Sequence, residues 1–157
     1  MARPKRCRLV NLPPKHVAFK PTGIPANMLK KEIMTIDEYE AIRLADFEQL
    51  EHLESAKYMG VSRPTFSRVL DSARFKIAKM LTQGVLLEIE GGKIHFKNRL
   101  YRCNRCQSII RFSLEEENIK CAECGSEDLT DYLEKYGHGE CCRKNMRDML
   151  PAKGKKK

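Results

Sequence analysis

Four cysteines set in two pairs carry the plainest chemistry in this chain. Cys103 and Cys106 form one Cys-x-x-Cys turn and Cys121 and Cys124 a second, with fourteen residues between the pairs. Each turn brings two thiolates within reach of one ion, and two turns joined by a hairpin close a tetrahedral site of four sulfurs. The spacing is slightly shorter than usual for this pattern. Zinc is the expected ion, although iron accepts the same four ligands. Four protein sulfurs leave no open position for water, so the expected role is structural and not catalytic. Three cysteines fall outside the pattern. Cys7 reads as a buried or idle thiol. His138, Cys141 and Cys142 lack a fourth ligand for a second site unless Cys7 joins them, and a regulatory vicinal thiol pair is the other reading.

A second chemistry-bearing pattern lies at 51–79. Ala56 is small enough for two helices to cross closely, and Gly60 allows the positive φ of a tight turn between them. Val61 is the apolar plug of that turn, Ser62 a helix cap, and Pro64 a first-turn residue that loses no backbone bond. Phe66, Val69, Leu70, Ala73 and Ile77 recur at helical spacing and should face inward. Arg63, Ser67, Arg68 and Arg74 are left outside. A helix with an apolar back and a basic, hydroxyl-rich front suits a DNA major groove. Arg63 and Arg68 are the expected readers of guanine edges. Ser62, Thr65 and Ser67 would make shorter contacts, and Arg74 and Lys76 would hold phosphates. The plainer reading is a helical hairpin whose outer face is simply solvated.

These sites need elements to hold them. Thr35 and Glu38 form a capping box for a helix that runs to about Phe47, with Tyr39, Ile42 and Ala45 on one face. That helix would buttress the pair behind it in a three-helix unit ending near Gly84. Residues 86–96 alternate apolar and polar about Gly91 and Gly92, which predicts a hairpin with a two-residue turn. Two strands alone are marginal, so they should pack on the helices, pair with the N-terminal segment, or both. Residues 1–25 are basic and punctuated by Pro13, Pro14, Pro21 and Pro25, which predicts an arm with at most a short strand. Such an arm would pack on the body or touch the DNA backbone. Ile109 to Phe112 is the expected strand between the cysteine turns, and 128–136 a short acidic helix.

Charge is sorted along these elements. Residues 1–34 hold eight Lys or Arg against one acidic residue, 35–61 two against seven, and 62–84 five against one. Residues 103–142 are acidic at four against nine, and 143–157 basic at seven against one. The net charge of +9 suits a polyanionic partner. Acidic supporting helices beside a basic outward helix keep carboxylates off a phosphate-docking face. The N-terminus has charges with no apolar run behind them, which reads as no signal peptide, and no segment approaches a membrane span. The expected location is the cytoplasm, where thiols stay reduced. No phosphate loop, nucleophile elbow or acid–base pair points to an enzyme.

Residues 4–92 resemble a family of small prokaryotic proteins described only as predicted to bind DNA. The match rests on Arg-Pro-Lys-Arg-Cys at 3–7, Phe-Lys-Pro-Thr-Gly-Ile-Pro at 19–25 and Asp-Glu-Tyr-Glu-Ala-Ile-Arg-Leu-Ala-Asp at 37–46. Met-Gly-Val-Ser-Arg at 59–63, Thr-Phe at 65–66 and Ile-Glu-Gly-Gly at 89–92 complete it. The resemblance implies a helix-turn-helix similar to region four of the bacterial primary sigma factors, with the recognition helix starting at Ser62 and a promoter-like target. Glu51 departs from the Ser or Thr such proteins tend to carry as a cap, at a cost of about 1 kcal/mol. The cysteine-rich end reads as an addition to the family pattern.

The expected protein is therefore mainly α with small β parts. It comprises an arm and three-helix DNA-binding domain at 1–97 (hairpin 86–96), a zinc-ribbon-like domain at 98–142 and a basic tail at 143–157. The expected function is sequence-specific transcriptional regulation on double-stranded DNA, with a homodimer as one possible form. The alternative is an interaction module whose acidic ribbon docks on RNA polymerase or another protein, with DNA binding secondary.

Overall fold

The computed structural model describes residues 7–113 and 115–136. The arm residues Arg3, Lys5 and Arg6, the group His138, Cys141 and Cys142, and the basic tail lie outside them. The chain separates into two compact units at 98/99. No helix among the described residues is long and apolar enough to cross a membrane.

In the first unit, α1 (Ile36–Ile42) continues into a π-helical turn over Arg43–Phe47, followed by α2 (His52–Met59) and α3 (Arg63–Gln83). The capping box forms: Glu38 Oε2 accepts the Thr35 backbone N–H at 2.8 Å. Gly60 sits at φ 64° and Gly84 at φ 64°, each ending its helix in the left-handed conformation that costs glycine least. Ala41, Leu44, Ala56, Met59, Phe66, Val69 and Leu70 make the buried cluster, with Ile42, Ala45, Leu50 and Val61 packed against it. The inner side of α1 is therefore Ala41 and Leu44. Of the expected face, Ile42 and Ala45 pack against this cluster from its margin and Tyr39 is half-buried, while the carboxylates Asp37, Glu38 and Glu40 take buried positions that an apolar pattern cannot register.

The strands depart further from expectation. β4 (Leu86–Ile89) and β5 (Ile94–Phe96) do not form a hairpin. β4 is the middle strand of a sheet, antiparallel to β2 (Ala18–Phe19) and parallel to β3 (Lys31–Met34), while β5 pairs in parallel with β1 (Arg8–Val10). The Gly91–Gly92 link is used to wrap the start of α1: Gly91 C=O accepts the Ile36 N–H at 3.1 Å. A Cβ on Gly92 would stand 2.6 Å from Asp37 Oδ1. Alternation specified strands, but β4 takes one neighbour from the arm, β2, and the other, β3, from the segment just before α1.

In the second unit, β6 (Arg99–Cys103) is central, antiparallel to β7 (Ile109–Phe112) and to β8 (Leu129–Asp131). The acidic helix expected at 128–136 is instead β8 and a 3₁₀ turn at Glu134–Tyr136. With eight short strands in three sheets beside three α-helices, the described residues are mixed α/β, not mainly α.

Candidate metal centre and nucleic-acid interface

The second unit builds its cysteine cluster from two matching turns. Cys103 N–H donates to Ser108 C=O at 2.9 Å and Gln107 N–H to Cys103 C=O at 2.9 Å. The second turn repeats both bonds, from Cys121 N–H to Ser126 C=O at 2.9 Å and from Gly125 N–H to Cys121 C=O at 2.8 Å. The residue after each second cysteine is left-handed, Gln107 at φ 64° and Gly125 at φ 69°. The sequence repeats as well, Cys-x-x-Cys-Gln-Ser at 103–108 and Cys-x-x-Cys-Gly-Ser at 121–126. Asn104 ties the turns to β8: its side-chain amide donates to Asp128 Oδ1 at 2.8 Å and its Oδ1 accepts from Thr130 Oγ1 at 3.1 Å.

The four sulfurs lie within 4.8 Å of one another, with Cys103–Cys124 at 3.6 Å and Cys106–Cys121 at 3.5 Å. The edge of a tetrahedron with bonds of about 2.3 Å is about 3.8 Å, so the donor set fits one metal ion. Burial raises the Cys121 thiol, but Ser108 Oγ and the backbone N–H groups of Cys124 and Glu123 outweigh it and bring it down to about 6. At Cys124 the Ser126 backbone N–H lowers the thiol. Burial and the neighbouring sulfurs outweigh it and push it up to about 12. Crowded sulfurs competing for negative charge in this way are reconciled by a divalent cation, which holds all four as thiolates. Ser108 Oγ, 2.9 Å from Cys106 Sγ and 3.6 Å from Cys121 Sγ, is the outer partner of the cluster. Cys7 belongs to the first unit and is half-buried.

The other candidate residues lie on α3. Ser62 caps it, accepting the Thr65 N–H at 3.4 Å. Ser62, Arg63 and Arg68 are exposed on its first three turns and Thr65 is half-buried beside them. Ser67 is half-buried, and its Oγ meets His52 Nδ1 of α2 at 3.2 Å. Two of the residues expected at phosphates carry ion pairs within the chain. Lys76 turns inward to Glu38 Oε2 at 2.7 Å, because a buried carboxylate needs a compensating charge. Arg74 is held on the surface by Asp46, at 2.6 Å. Burial alone would raise Glu38, yet Lys76, Ser72 and the Thr35 N–H outweigh it and hold its carboxyl below the usual range. Sequence reasoning passed over His52, which carried no periodic signal.

Residues 1–97 match a family described as "Protein of unknown function DUF134". The chain belongs to the DUF134 family. A "UPF0251 protein" of Chloroherpeton thalassium is 45% identical over 131 residues, 83% of this chain and 87% of that one. Another, of Moorella thermoacetica, is 41% identical over 144 residues, covering 91% of this chain and 94% of that one. A third, of Pelotomaculum thermopropionicum, is 41% identical over 128 residues, 82% of this chain and 96% of that one. No solved structure matches the chain. A similarity running over 144 residues cannot be contained in 1–97, so part of the cysteine-rich unit is shared with relatives of the DUF134 family and is not an addition to this chain alone.

Proposed function

We propose that this DUF134-family chain is a sequence-specific DNA-binding transcriptional regulator. Its α2–α3 pair acts as a helix-turn-helix of the kind found in region four of primary sigma factors, and its four-cysteine centre holds one structural zinc ion. The observation that carries the reading is the sorting of charge on α3. Among the described residues Arg63 and Arg68 have no ion pair, whereas Arg74, Lys76 and Lys79 on the same helix are each tied to a carboxylate of a supporting element. Inward and flanking cations are thus neutralised, and the first turns of α3 keep theirs for a partner. An unpaired guanidinium in a rigid helical setting suits bidentate contact with guanine O6 and N7. Ser62 and Thr65 present hydroxyls at the same end.

In this reading zinc supplies no reaction step. Cys103, Cys106, Cys121 and Cys124 would hold it, and it would fasten the two turns that the unit's small core could not hold closed.

Selection of bound duplexes from a random pool with metal-loaded protein tests the reading. An enriched motif is expected, with dyad symmetry if two copies bind. Arg68→Ala should then weaken binding to that motif by about 1–3 kcal/mol and relax preference at one base pair. Unchanged affinity and preference in that variant would overturn the assignment.

A further inference from the structure

The second unit has its own set of uncommitted cations, two on one face of its sheet and one in the turn that the sheet leads into. Among the described arginines, Arg8, Arg43 and Arg74 are in ion pairs, and Arg99 donates to the Ser113 carbonyl. Arg63 and Arg68 are accounted for above. The remainder, Arg102, Arg105 and Arg111, are all exposed, and none has a carboxylate within ion-pair distance among the described residues.

Register places them. Arg102 stands opposite Ile109 on β7 and opposite Thr130 on β8, and Leu100 stands opposite Arg111. Directly paired residues share a face and alternate residues along a strand share it too, so Arg102, Ile109, Arg111 and Thr130 lie on one side of the sheet. No carboxylate occupies that side on the three strands: Asp131 pairs with Tyr101 and so belongs to the other. Arg105 stands exposed in the cysteine turn that β6 leads into. The exposed acidic run Glu115–Glu117 follows β7 in a loop, off the strands. Arg102 shares a shallow groove with Asp131, Glu134 and Lys135, and neither carboxylate closes on it. Over 99–136, where six Lys or Arg stand against eight Asp or Glu, three guanidinium groups without a carboxylate partner, gathered at one face and its adjoining turn, are set apart from the acidic groups around them. They match a row of phosphates.

We infer that the β6–β7 face of the cysteine-rich unit, with Arg102, Arg105 and Arg111, is a second contact for duplex DNA that grips the phosphate backbone without reading bases. The inference rests on the proposed DNA-binding function and adds a bivalent mode to it. α3 selects the sequence, and the tethered sheet adds affinity by holding the same duplex at high local concentration. It also opposes an acidic, protein-docking role for this unit.

The test compares the full metal-loaded chain with R102Q/R105Q/R111Q on the selected duplex and on random duplex, across a salt series. The variant should bind both duplexes at least ten-fold more weakly at low salt. The slope of log affinity against log salt should fall by about two to three, one for each lost phosphate contact. The enriched motif should be unchanged, and R102K/R105K/R111K should restore the slope. The thiolate-to-cobalt absorption of the cobalt-substituted protein reports that the cluster is intact. If the triple variant loses it, single Gln variants, each lowering the slope by about one, carry the test. Identical affinity and slope in wild type and a variant with an intact cluster overturn the inference while leaving the regulator in place. A wild-type chain that binds no duplex overturns both.

Discussion

Lys76 shows how one side chain changes meaning between its position on a helix and its place in the fold. On a helical projection it belongs to the basic outer arc of α3. In three dimensions it answers Glu38, which also accepts Ser72 Oγ at 2.6 Å and the Thr35 N–H. Removing it leaves a buried carboxylate underpaired. Lys76→Gln should therefore cost about 1–3 kcal/mol of unfolding free energy in a denaturant titration and leave the salt dependence of DNA binding unchanged. A variant of ordinary stability with a shallower salt slope would return Lys76 to the phosphate contacts. The same network sets a pH dependence. Because Glu38 titrates lower in the folded chain than in the unfolded one, it stabilises the fold fully above the unfolded value near pH ~4.3. That contribution is lost as pH falls through the folded value. Glu38→Gln should flatten the acid side of a thermal-stability profile and hardly alter its slope above pH 6.

At the level of elements, the turn between α2 and α3 is the most constrained link. Gly60 is left-handed at φ 64°, and a Cβ there would come within 3.4 Å of Leu9 Cδ1 on β1. Gly60→Val thus meets backbone strain of about 1–2 kcal/mol together with displacement of the arm strand. Differential scanning calorimetry should show the first unit's midpoint lowered by at least about 4–8 °C. A midpoint within 1 °C of wild type would mean that the turn is not held as described. The link after β4 is equally exacting, since Gly92 is pressed against Asp37 and Thr35. There a glycine pair that resembles a hairpin turn instead lets the chain pass over a helix start.

For the whole molecule, two compact units held by different means should fail separately. The first has an apolar cluster of three helices and two small sheets. The second has three short strands and one cysteine cluster, too little core to fold on hydrophobic burial alone. Chelation should release one metal ion per chain, seen with a colorimetric indicator. Amide exchange should lose protection across 99–131 while α1–α3 stay protected. Full protection of β6–β8 after metal removal would refute a structural ion.

Much of this was legible from residue types and spacing. Cys-x-x-Cys pairs, the Ala56–Gly60 spacing, the Thr35–Glu38 box and the Ser62 cap are local motifs, in which a few adjacent residues determine each other's geometry. The cysteine cluster, the start of α1 and the turn from α2 into α3 could therefore be read from the chain. Partnership between distant segments was legible only in outline, as the expectation that 86–96 would pair with the N-terminal segment, which β1 and β2 fulfil. That β4 would take β2 and β3 as neighbours, that residues 128–136 would yield a strand, and that Glu38 would claim Lys76 depend on which surfaces meet. A strand's alternation names a face without naming a partner, and a lysine's charge reveals nothing of the carboxylate thirty-eight positions away that will bury beside it.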